Sequence, residues 1–109
     1  MTTRYDKLVR DNMPDIIKKL GKMPITRTLN QEEYKHYLGL KLLEEVHEYL
    51  EDGSIEEFCD ILEVLEALKK AKGFSCENVE IIKSSKAIKN GKFEKKLLLE
   101  KVINHGEKQ

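Results

Sequence analysis

The sequence predicts an all-α fold built on one antiparallel helical hairpin, and three observations predict it. Apolar residues recur at helical spacing through 34–50 and again through 55–68. Only Glu51, Asp52, Gly53 and Ser54 separate the two runs, a link short enough to make the helices antiparallel neighbours. Charged residues make up 37% of the 109, a share that suits long amphipathic helices with solvated faces. A chain of this length reads as a single domain, 1–109, with a modest core. Shorter helices should flank the hairpin, and a second copy of the chain would help to complete the bundle.

The elements follow in order. Pro14 opens a short helix over 15–20, which Gly21 ends. Residues 21–28 read as a connector. Asn30 is a good N-cap, with Glu32 and Glu33 in the first turn beyond it. Tyr34, Tyr37, Leu38, Leu42, Val46, Tyr49 and Leu50 then define a helix over 31–51. Ser54 followed by Glu57 has the form of a capping box that restarts the helix, and Ile55, Phe58, Ile61, Leu62, Val64, Leu65 and Leu68 carry it to Lys72, before Gly73. A shorter helix is expected over 76–90, up to the Asn90-Gly91 turn signal. The segment 93–103 suits either a short strand or a final helix, and the last six residues should fray.

Several functional classes are excluded or disfavoured by composition. No apolar run approaches the roughly 20 residues needed to span a bilayer, and the polar MTTRYDKLVRDN start lacks the apolar core of a signal peptide, so a cytoplasmic protein with no membrane partner is expected. Cys59 and Cys76 form no CxxC and no Cys/His cluster, so they read as reduced and structural, forming neither a disulfide nor a zinc site. Aromatics are 6% and Trp is absent, which leaves no stacking platform for nucleic acid.

The zero net charge conceals a pattern. Residues 1–43 carry a net +4, residues 44–66 hold ten acids and no Lys or Arg, and residues 67–109 carry a net +6. The acidic block is interleaved with Leu, Ile and Val, so it should fold rather than behave as a solvated tail. It would also repel a nucleic-acid backbone, so nucleic acid is not an expected partner.

Spacing within the block is informative. Glu45 and Glu48 share one helix face, and Glu57 and Asp60 share a face of the next helix. An antiparallel hairpin can bring the two pairs together, where a divalent cation would remove their repulsion. All-oxygen donors select Mg²⁺ or Mn²⁺ over zinc or copper. At about 100° per residue, Leu68, Ile61, Leu65 and Val64 fall within about 80° of Glu57, so Glu57 sits in the apolar stripe. A buried carboxylate there costs several kcal/mol unless it is paired, protonated or metal-bound. Asp60 lies at the stripe's edge, and Glu45 borders the stripe of the preceding helix. The bland reading is that Glu44, Glu51, Glu56, Glu63 and Glu66 form solvated faces and that Glu57 merely partners Ser54. His47 reads as a surface residue, and His36 and His105 show no partners.

Glu44-Glu45-x-x-Glu48 followed by Glu57-x-x-Asp60 resembles the EExxE…ExxD signature of the all-α nucleoside triphosphate pyrophosphohydrolases, the MazG-like superfamily. YDKLVRDNMPDII is similar to the opening of its phosphoribosyl-ATP pyrophosphohydrolase-like members, and GKMPITRTLNQEEYKHYLGLKLLEEVHEYL and the C-terminal Gly-x-Phe-Glu-Lys resemble other segments of that subgroup. The resemblance covers residues 4–102. It implies that Glu45, Glu48, Glu57 and Asp60 bind Mg²⁺ and that Glu44 positions or deprotonates the attacking water. It further implies hydrolysis of a nucleoside triphosphate between the α and β phosphates, and a homodimer. In that frame Lys7 and Arg10 contact the triphosphate, Asp11 orients Arg10 or approaches the nucleotide, and Lys86 and Lys89 assist from helix 76–90. Asn90-Gly91-Lys92-Phe93 stands where the family often has Arg-Gly-Gly-Phe, so a phosphate contact there would fall to Lys92 or Lys89. The competing reading is a non-catalytic helical module that binds a nucleotide or protein on the same scaffold.

Overall fold

The computed structural model describes residues 1–104 and 106. Four helices are present among them and no strand: α1 (Met13–Lys19), α2 (Gln31–Asp52), α3 (Ile55–Lys72) and α4 (Cys76–Asn90). The chain divides into two compact units, Met1–Ser75 and Cys76–Gln109. None of the helices is long and apolar enough to cross a membrane.

In the first unit, α2 and α3 form the hairpin. Asn30 starts α2 with a complete capping box: its side chain accepts from Glu33 N at 2.9 Å, while the Glu33 carboxylate accepts from Asn30 N. Gly53 ends α2 at φ 66°, the left-handed conformation that a residue without Cβ adopts at little cost. Ser54 then caps α3 by accepting from Glu57 N at 3.2 Å. The two helices run antiparallel. Near the turn, the Tyr49 and Phe58 rings lie 6.3 Å apart. At the open end, Gln31 Nε2 donates to Ala71 O at 3.4 Å.

The core between them is small. Leu38, Val64 and Glu45 are buried; Leu42, Ile61 and Leu68 are half-buried. Leu43, Leu50, Ile55, Phe58, Leu62 and Leu65 lie on the same two helices and are exposed.

Three expectations are corrected. The first helix starts at Met13, before Pro14, because proline's missing N–H costs nothing in a first turn, where no helical acceptor exists. Residues 93–103 form neither strand nor helix; no strand lies among the described residues to pair with them, and Phe93, Leu97, Leu98 and Leu99 stand exposed. Cys59 and Cys76 are exposed rather than packed in a core. His105 lies outside the described residues. The second unit places α4 at the expected 76–90, closed by Gly91 at φ 82°.

Candidate functional site

The hairpin brings the acidic pairs together through Glu45. Carboxylate oxygens of Glu44, Glu45 and Glu48 lie within 4.8 Å of one another, and so do those of Glu45, Glu57 and Asp60. Helical periodicity sets Glu44, Glu45 and Glu48 together on α2, and Glu57 with Asp60 on α3. The two-residue link of Gly53 and Ser54 then sets the register that lets α3 present Glu57 and Asp60 to α2.

Glu45, not Glu57, is the most buried of these acids, at 6% exposure. Glu57 is half-buried, but its Oε2 is shielded from solvent. The Oε2 atoms of Glu45 and Glu57 are both buried with no hydrogen-bond partner among the described residues. The carboxylate of Glu57 is therefore not used to complete the cap at Ser54. Desolvation is the main cause that pushes the Glu57 carboxyl up to about 7, reinforced by the charge of Glu48 and by the neighbouring Glu45 and Glu48 carboxylates. Oxygens of Glu45, Glu57 and Asp60 crowd together there, and a proton or a cation between them would relieve the repulsion.

Three cations border the cluster. Lys7 Nζ donates to Glu44 Oε1 at 2.9 Å, and Arg10 reaches Asp60 Oδ1 at 2.7 Å. Lys41 Nζ lies 3.3 Å from Glu45 Oε1 and 3.5 Å from Glu44 Oε1. The hydrogen bond to Glu44 raises the Lys7 pKa. For Glu44, desolvation is the largest influence and raises the pKa. The Lys7 hydrogen bond and the charges of Lys41 and Lys7 more than offset it, so the carboxyl stays below its usual range. With all five carboxylates ionised, the three cations leave an excess of two negative charges, the complement of one divalent ion. The buried, donor-less oxygens and the all-oxygen donor set show that these residues could hold a metal.

Lys41 was not singled out by sequence reasoning, because it stands just outside the acid-only run. Its i,i+3 and i,i+4 spacing to Glu44 and Glu45 was the available signal. Asp11 is exposed and lines a cleft beside the cluster. Lys86 and Lys89 are exposed on α4, in the second unit. His47 is a surface residue paired with Glu51 at 3.2 Å. His36 is exposed, its ring edge-on to Tyr37 at 5.4 Å. Glu51, Glu56, Glu63 and Glu66 are exposed, as solvated faces should be, whereas Glu44 is half-buried in the cluster.

No protein-family model matches this chain, and no solved structure matches it. A stretch of 42 residues, 38% of the chain, is 48% identical to an uncharacterized protein of Mycolicibacterium smegmatis. That stretch spans 43% of the relative's length, so the chain matches less than half of it.

Proposed function

We propose that this protein is a MazG-like, Mg²⁺-dependent nucleotide pyrophosphohydrolase, cleaving a nucleoside triphosphate between the α and β phosphates. The carrying observation is the pair of buried, donor-less oxygens on Glu45 and Glu57, inside a five-carboxylate cluster that basic residues flank. A binding module with no use for a cation would be more stable with an apolar residue at position 57.

Glu45, Glu48, Glu57 and Asp60 would hold the ion. Bound there, Mg²⁺ (or Mn²⁺) would neutralise phosphate charge and lower the pKa of a coordinated water. The remaining work belongs to the side chains. Lys7 and Arg10 are the cations able to exchange a carboxylate partner for a phosphate oxygen, Arg10 in the bidentate manner of its guanidinium. Glu44, held ionised by Lys7, accepts a hydrogen bond from the attacking water and fixes its direction. Its low pKa suits orientation better than proton abstraction. The water oxygen bonds to the α phosphorus, its proton passes to solvent, the bridging P–O bond between the α and β phosphates breaks, and pyrophosphate leaves with the bond's electron pair. Positioning and charge supply most of the acceleration.

Leu43, Leu50 and Ile55, each at least two-thirds exposed, are unusual surface residues for helices with so small a core. They support a homodimer in which a second hairpin covers them, and sedimentation equilibrium measures its mass.

The reaction is tested by pyrophosphate release from a panel of NTPs, dNTPs and phosphoribosyl-ATP, with Mg²⁺ and with EDTA, using Glu57→Gln as control. Metal-dependent release that vanishes in the variant sustains the reading. A folded protein that releases nothing and gains no melting temperature from Mg²⁺ leaves the non-catalytic module.

A further inference from the structure

The N-terminal segment crosses the carboxylate cluster from one helix of the hairpin to the other. Lys7 Nζ donates to Glu44 Oε1 on α2 at 2.9 Å, and Arg10, three residues on, donates to Asp60 Oδ1 on α3 at 2.7 Å. We propose that residues 7–12 are a strap over the cluster, which a divalent cation releases and a bound triphosphate draws back. The proposal rests on the pyrophosphohydrolase reading and names how that site opens and closes.

The strap is lightly held. None of residues 1–12 lies in a helix or strand, and Leu8 alone among them is half-buried, the rest being exposed. Leu8 borders a cleft with Leu29 and Tyr34, a small apolar anchor. The two ion pairs are the other ties, and their cations are well solvated, with 41% of the Lys7 side chain and 59% of the Arg10 side chain exposed. Pairs of this kind are individually weak, so they can exchange partners. The chain also bends just before Lys7. Asp6 adopts φ 47°, a left-handed conformation that Asp tolerates better than most residues, and its carboxylate accepts from Arg4 Nε at 2.9 Å.

Charge sets the order of events. With all five carboxylates ionised, the cluster and its three cations carry an excess of two negative charges. With one divalent ion bound that excess is gone, and Lys7 and Arg10 are left beside a like charge at short range. Lys41 differs from them. It stands on α2 itself, with its side chain only 17% exposed, so it stays with Glu44 and Glu45. A triphosphate bound at the ion restores negative charge and offers oxygens that accept from both released side chains. The strap then closes on the phosphates instead of on Glu44 and Asp60.

The test is limited chymotrypsin digestion of the full chain at pH 8, with cleavage after Leu8 followed by mass spectrometry and the ionic strength held constant with KCl. Cleavage there tracks the released population. Mg²⁺ should speed it about fivefold, the worth of two surface ion pairs. Cleavage after the exposed Phe93 should stay constant. Inorganic triphosphate, added with Mg²⁺ in excess, should slow cleavage after Leu8 again. The double variant Lys7→Gln, Arg10→Gln removes both charges, so its cleavage should be fast without metal and indifferent to Mg²⁺. A melting temperature that Mg²⁺ raises, beside cleavage that it leaves unchanged or slows, overturns the strap and spares the metal site. A double variant that still answers to Mg²⁺, or triphosphate that leaves cleavage fast, also overturns the strap. Release by Mg²⁺ with no pyrophosphate released from any triphosphate refutes the reaction and spares the strap.

Discussion

The carboxylates of Glu45 and Glu57 meet across the α2–α3 hairpin, each with a buried Oε2 that no donor among the described residues reaches. Two desolvated acceptors so close together are a cost to the fold that a proton or a cation between them would relieve. Most of the expected behaviour of this protein follows from that pair.

Replacing Glu57 separates stability from function. Glu57→Leu should raise the melting temperature of the metal-free protein, because an apolar side chain replaces a desolvated carboxylate. The same change should remove the stabilisation by Mg²⁺ and lower pyrophosphate release at least about 100-fold, given what even outer-shell changes cost metal sites. Thermal melts with and without Mg²⁺, beside turnover, check both halves. A variant with full activity would show that position 57 lies outside the site.

The raised Glu57 pKa fixes a pH dependence. Its folded value, about 7, lies above the unfolded value near 4.5, so the folded state binds more protons between them. The metal-free protein should therefore lose stability as pH rises from about 4.5 to about 7. Mg²⁺ competes with the same proton, so its stabilising effect should be larger at pH 8 than at pH 5. Melting temperatures that climb through this interval without metal would contradict the assignment.

Lys41 is the nearest counter-charge to the buried Glu45. Lys41→Met keeps the apolar stem and removes the ammonium, so Glu45 is left more exposed to its acidic neighbours. Urea unfolding at pH 8 should show a loss of about 1–3 kcal/mol without metal, less than for a fully buried pair because Lys41 is partly solvated. Saturating Mg²⁺ should recover part of that loss. An unchanged midpoint would mean that the pair contributes nothing.

Arg10 should show opposite effects on metal and substrate. It occupies Asp60 at 2.7 Å in the structure, so Arg10→Gln frees that carboxylate. Mg²⁺ should then bind as well or better, while the KM for a triphosphate rises about tenfold through the lost phosphate contact. A weakened Mg²⁺ midpoint would show that Arg10 supports the metal site instead.

The exposed apolar stripe predicts association. Leu62→Glu on α3 should shift the protein to monomer in sedimentation equilibrium with its helix content kept. A wild-type protein that is monomeric at micromolar concentration would remove the homodimer.

What the sequence by itself determined was local. The caps at Asn30 and Ser54, the break over 51–54, and the i,i+3 pairing of Glu45 with Glu48 and Glu57 with Asp60 all depend on residues within one turn, so spacing reveals them. The tertiary structure decided what distance in the chain conceals. Arg10 reaches Asp60 across 50 positions, and Lys7 reaches Glu44 across 37. Glu45 became the buried acid because burial depends on how the two helices turn their faces toward each other, and a helical wheel treats each helix alone. Residues 93–103 were undecided for the same reason: a short apolar run becomes strand or helix only when a neighbour supplies hydrogen bonds or a packing face, and among the described residues no strand supplies the first.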